Sequence, residues 1–144
     1  MQLIDVLLVE DNPADARLAQ EALKESRLQL NLHIVRDGVE ALEFLFQQGQ
    51  YTDVPSPDLI LLDLNLPRKN GHEVLTEVKN NDTLKHIPVV VLSSSQAEDD
   101  ITKAYARYAN CYVTKSLDFD QFVEVIKSID NFWFGVVKLP SAKA

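Results

Sequence analysis

At 144 residues the chain is one domain long, enough to bury a core and too short for a second full domain of output machinery. Apolar residues at 46% and charged residues at 25% give a folded protein's composition rather than a disordered one. The formal charge of -8, from 14 Lys and Arg against 22 Asp and Glu, argues against nucleic acid as a direct partner, because phosphate-backbone contact needs a basic face.

The N-terminus, MQLIDVLLVE, has no basic region and carries Asp5 inside its apolar stretch. Neither a signal peptide nor a membrane span is expected, and a cytoplasmic protein fits best. Residues 4 to 9 form the first predicted strand. Asn12 as N-cap and Pro13 at the first helical position open a helix, since proline's missing N–H has no intrahelical partner there. Its apolar face is expected to carry Ala14, Leu18, Ala22 and Leu23. A weaker strand, LHIV at 32 to 35, leads to a second helix from about Val39 through Ala41, Leu42, Leu45 and Phe46, closing near Gly49.

The segment GQYTDVPSP at 49 to 57 is rich in turn formers and reads as an exposed loop. A strand at 58 to 62 follows, then a helix carrying Val74, Leu75 and Val78, and a strand at 87 to 92. A fourth helix presents Ile101, Ala104, Tyr105 and Tyr108, before a strand at 111 to 113 and a last helix from near Asp118 to about Phe134. The main strands are runs of Val, Ile and Leu without clean alternation, the pattern of strands buried on both faces. The order is (βα)5, an α/β fold with a doubly wound, five-stranded parallel sheet whose site lies at the carboxyl ends of the strands beside the topological switch point.

Cys111 cannot form an intrachain disulfide and reads as a buried thiol. His33, His72 and His86 share no ligand spacing and are assigned no chemistry. Gly38, Gly49, Gly71 and Gly135 are too scattered for a phosphate-cradling loop.

Chemistry gathers where apolar runs end. Glu10 and Asp11 follow the first strand and Asp63 follows the third, so a parallel sheet brings three carboxylates together. Their repulsion is most simply compensated by a hard divalent cation with oxygen ligands, Mg²⁺ or Mn²⁺. Lys115 adds a compact ammonium at the end of the fifth strand and Ser93 a hydroxyl at the end of the fourth. Metal, ammonium and hydroxyl aimed at one carboxylate suit a phosphoryl group, with Asp63 as nucleophile.

These residues resemble the receiver domains of two-component response regulators: the acidic pair in LLVEDNP, the strand LILLDLNLPRKNG, the hydroxyl in VVVLSSS, the aromatic in CYV and the lysine in TKS. The resemblance spans residues 4 to about 131. It implies a flavodoxin-like receiver fold, here over residues 1–134 with a tail at 135–144. It also implies phosphorylation of Asp63 by a sensor histidine kinase. Mg²⁺ is then held by Asp11 and Asp63 directly, by Glu10 through water and by the backbone carbonyl of Asn65, while Lys115 contacts the phosphoryl group. Ser93 and Tyr112 become the switch pair, and Asn65 and Ser95 tune the lifetime of the acyl phosphate. One departure is Ser116, where the family usually has proline after the lysine, often with a cis bond.

Residues 119 to 137 place apolar side chains on more than one helical face, among them Phe122, Phe132, Trp133 and Phe134. Such a patch is expected to be covered by a protein partner. The ending NFWFGVVKLP, the long loop before the third strand and the TKS variant are similar to small single-domain response regulators of cyanobacterial phytochromes, which implies a phytochrome-type kinase and a homodimer built through these last segments. Two rival functions each meet an objection in the residues. A phosphohydrolase of the haloacid dehalogenase type places a second Asp two residues after the nucleophile, where this chain has Asn65. An unphosphorylated receiver-like scaffold usually lacks an acid or the lysine, and here each is present.

Overall fold

The computed structural model describes residues 4–24, 29–93, 98–107, 109, 111–114, 124, 127 and 128, with the backbone alone at 93, 98–100, 111 and 114. Its strands are β1 (Ile4–Val9), β2 (Leu30–Val35), β3 (Leu59–Asp63), β4 (Val89–Ser93) and β5 (Cys111–Thr114). They alternate with α1 (Pro13–Leu23), α2 (Gly38–Leu45), α3 (Gly71–Asn80) and α4 (Glu98–Ala106). All pairings are parallel and the strand order is β2-β1-β3-β4-β5. The chain therefore reverses its direction of winding between β1 and β3, and the crevice at their carboxyl ends is the switch point.

Alternation along each strand feeds two cores. Leu7, Val9, Ile60, Leu62, Val89 and Val91 pack with α2, α3 and Ala104 of α4. Val6, Leu8, Leu59, Leu61, Val90 and Leu92 face Ala19, Ala22 and Leu23 of α1. This two-sided burial is why the sequence shows apolar runs rather than a period of two.

Several local expectations are corrected. In α1, Ala14 is exposed and Leu18 only half-buried, while Ala19, Ala22 and Leu23 face the sheet. The helix does not close at Gly49. It ends at Leu45 because Gln47 adopts φ 55 and the N–H groups of Gln47 and Gln48 return to the carbonyls of Phe44 and Glu43, at 3.1 and 2.8 Å. Phe46 and Tyr105, expected on apolar faces, are 40% and 49% exposed. The 49–57 loop is partly buried: Tyr51 packs on Phe44 with ring centroids 5.3 Å apart, and Pro57 is buried.

The last helix lies outside the described residues except for helical Glu124, Lys127 and Ser128. Among the described residues, no helix is long and apolar enough to cross a membrane.

Candidate functional site

The acidic cluster is assembled by strand pairing. Val9 stands opposite Leu62 in the β1–β3 ladder, so the residues that follow or end these strands emerge at one edge. Ligand oxygens of Glu10, Asp11 and Asp63 all lie within 4.8 Å of one another. Glu10 and Asp63 are buried, at 3% and 4% exposure, and Asp11 is exposed. Asp63 is the last residue of β3 rather than the first beyond it, because pairing with β4 continues to Leu92.

Local hydrogen bonds orient these acids. The Glu10 N–H donates to the Val35 carbonyl at 3.0 Å, extending the β1–β2 ladder by one residue. The Asn12 N–H donates to Glu10 Oε2 at 3.2 Å, and Asn12 Oδ1 accepts from the N–H groups of Ala14 and Asp15. The capping turn of α1 therefore holds the Glu10 carboxylate as well. The Asn65 N–H donates to Asp63 Oδ1 at 3.2 Å.

Two buried carboxylates and an exposed third form a donor set of hard oxygens at a spacing that suits Mg²⁺ or Mn²⁺, and a divalent ion offsets their mutual repulsion. A groove of about 450 Å³ opens beside Glu10 and Asp11, lined also by Arg17, Ile34 and Arg36, so the cluster can be reached from solvent.

The backbone of Ser93 ends β4 opposite Thr114 of β5, at the same sheet edge as the acids. Tyr112 lies on β5 opposite Val91; it is half-buried against the core shared with α2, α3 and α4, and its N–H donates to the Tyr105 hydroxyl at 3.2 Å. Lys115, Ser116, Ser95, Phe122, Phe132, Trp133 and Phe134, like the side chains of Ser93 and Cys111, lie outside the described residues.

Sequence reasoning missed the residues that seat the loop after Asp63. Gly71 opens α3 directly against that segment, its N–H donating to the Leu64 carbonyl at 2.9 Å. Gly38 opens α2 beneath Lys69, and Arg68 pairs with Asp37 at 3.1 Å. The nearest available signal is Gly38 just before the second predicted helix and Gly71 just before the apolar positions of the third, which is weak alone.

Residues 6–127 match the family model described as response regulator receiver domain. The chain is 52% identical over 137 residues to response regulator Rcp1 of Synechocystis sp., covering 95% of this chain and 93% of that protein. The crystal structure of the phosphorylated cyanobacterial phytochrome response regulator RcpA superposes with a TM-score of 0.92 at 51% identity, covering 97% of this chain and 100% of that one. The Mn²⁺-bound form of Rcp1 gives 0.89 at 51% identity, over 96% of this chain and 99% of its own.

Proposed function

The chain belongs to the response regulator receiver domain family, and from that membership we propose that Asp63 accepts a phosphoryl group from a sensor histidine kinase and that the acyl phosphate switches the conformation that relays the signal. The convergence of Glu10, Asp11 and Asp63 at the switch point carries this reading.

An oxygen of the Asp63 carboxylate attacks the phosphorus of a phosphohistidine. The P–N bond breaks, its electron pair leaves with the imidazole, and the new O–P bond gives the acyl phosphate. The Asn65 N–H orients the Asp63 carboxylate for that attack. Asp11 and Asp63 would hold Mg²⁺ or Mn²⁺ directly and Glu10 through water, and the backbone carbonyl of Asn65 would add a protein ligand. When bound, the ion supplies positive charge for the phosphoryl oxygens. The Lys115 ammonium neutralises a further oxygen, and Ser93 with Tyr112 reads out the modification, the hydroxyl moving toward the phosphoryl group and the ring turning inward. Asn65 and Ser95 set the lifetime. The chain's own chemistry is limited to self-phosphorylation and autodephosphorylation.

Similarity to RcpA, a cyanobacterial phytochrome response regulator, supports a phytochrome-type kinase as donor in the cytoplasm. The aromatic set Phe122, Phe132, Trp133 and Phe134 supports a homodimer. Light scattering of the intact chain against one ending near Ile129 tests the dimer: the intact chain is expected to be dimeric at micromolar concentration, and an intact monomer refutes it.

Acetyl phosphate or phosphoramidate with Mg²⁺ tests the central reading by intact-mass detection of the phosphorylated chain. Wild type is expected to be labelled and Asp63→Asn not at all. An unlabelled wild type, or a label that persists in the variant, overturns Asp63 as acceptor.

A further inference from the structure

Asn65, whose backbone N–H meets Asp63, belongs to a connection of residues 64–70 that is tied to α3 by Gly71 and by the Lys69–Glu77 ion pair at 3.0 Å, and to the start of α2 by Arg68. At its inner end Gly71 donates to Leu64. At its outer end Arg68 Nη2 donates to Asp37 Oδ1 at 3.1 Å, and the same oxygen accepts the Glu40 N–H at 2.8 Å, capping α2. Beneath this contact Gly38 brings α2 against the loop so closely that a Cβ there would stand 1.9 Å from the Lys69 carbonyl oxygen.

Arg68 has φ 65, a conformation that favours glycine. The backbone thus bears a strain that glycine would relieve, and what arginine adds is the guanidinium that reaches Asp37. Although Arg68 is 57% exposed, the Asp37 side chain is only 17% exposed, so one partner is held in place and shielded from water. An ion pair between two exposed, mobile side chains contributes little; a pair anchored at a helix cap constrains the loop it reaches from.

We propose that Arg68 is a positioning residue: its ion pair with Asp37 locks residues 64–70 so that the Asn65 backbone stands ready beside Asp63 for a divalent cation. The inference rests on the metal site of the proposed function.

The test uses the intact chain with Mn²⁺ as probe, its affinity measured by calorimetry. Arg68→Gly deletes the guanidinium while relieving the backbone. Asp37→Asn deletes the charge while keeping a capping side chain. Each is expected to weaken Mn²⁺ binding by roughly two- to fivefold, and the double variant no more than either alone. The denaturation midpoint of Arg68→Gly should not fall below wild type, and amide exchange at residues 64–70 should quicken without metal. Variants that bind Mn²⁺ like wild type, or losses that multiply in the double variant, overturn the role of Arg68 alone. A wild type that does not bind Mn²⁺ overturns the functional reading and this inference with it.

Discussion

Gly71 sits directly against Asp63: a Cβ at Gly71 would lie 2.3 Å from the Asp63 carbonyl oxygen and 2.5 Å from the Leu64 Cα. The first turn of α3 is therefore seated on the backbone that carries the central acid. Both contacts are to main chain, which cannot turn aside as a flexible side chain can.

Gly71→Ala must push α3 away from the end of β3. The expected cost is about 1–3 kcal/mol of stability, from overpacking, together with weaker Mn²⁺ binding. Urea denaturation and calorimetry on the same preparation measure both, and unchanged values for the two would show that the contact is readily relieved.

Three carboxylates within 4.8 Å of one another repel when no cation is present. Asp11→Asn should stabilise the chain in EDTA by about 1 kcal/mol, the scale of a solvent-screened charge pair. It should also remove most of the stabilisation by Mg²⁺, which for wild type is about 2.7 kcal/mol at a hundredfold excess over Kd. Removing the metal with EDTA should accordingly lower the wild-type unfolding midpoint but leave that of Asp11→Asn nearly still.

The Tyr51 hydroxyl donates to Glu40, and its pKa is pushed up from 10.0 to about 12, first by burial and then by the bond to Glu40 and its charge. The folded chain thus keeps this proton to higher pH than the unfolded chain does. Its contribution to stability is fully present below about pH 10 and is lost as the pH rises toward about 12. Tyr51→Phe should cost about 1 kcal/mol near neutrality and flatten that alkaline decline. Denaturation midpoints of both proteins across this range provide the check.

Asp5 is buried at 5% exposure on β1, where its Oδ1 accepts from Asn31 Nδ2 at 2.9 Å and meets His33 Nε2 at 3.3 Å across the β1–β2 pair. Asp5→Ala takes this acceptor from both β2 side chains and should destabilise by about 2 kcal/mol. Chemical denaturation reads the loss, and faster amide exchange along β2 should accompany it.

The sheet and the acid cluster were legible because both follow from periodicity and topology. Uninterrupted apolar runs mean two-sided burial, and parallel winding carries Glu10, Asp11 and Asp63 to one edge. Features decided by three-dimensional fit were harder to read. Ala14 belongs to the α1 face by spacing, yet the buried line runs through Ala16, Ala19 and Leu23, a face rotated by part of a turn from the one through Ala14 and Leu18. Gln47, at positive φ, closes α2 with backbone hydrogen bonds from its own N–H and that of Gln48, which its residue type does not announce, whereas Gly49, the obvious candidate, opens a short 3-10 turn. Tyr105 has helical spacing but meets the Tyr112 N–H through its hydroxyl while remaining half in water. Gly71, Gly38 and Arg68 matter only through backbone that lies nearby in space.

Because the acids come from neighbouring strands whose partners lie 53 residues apart in the chain, as the Asp5–Asp58 contact marks, a nascent polypeptide that has made only β1, α1 and β2 carries the first two acids without the third. Loop closure between such distant segments is a slow, non-local step. Assembly of the three-acid cluster therefore waits until β3 has docked beside β1, well after the first two acids have been made.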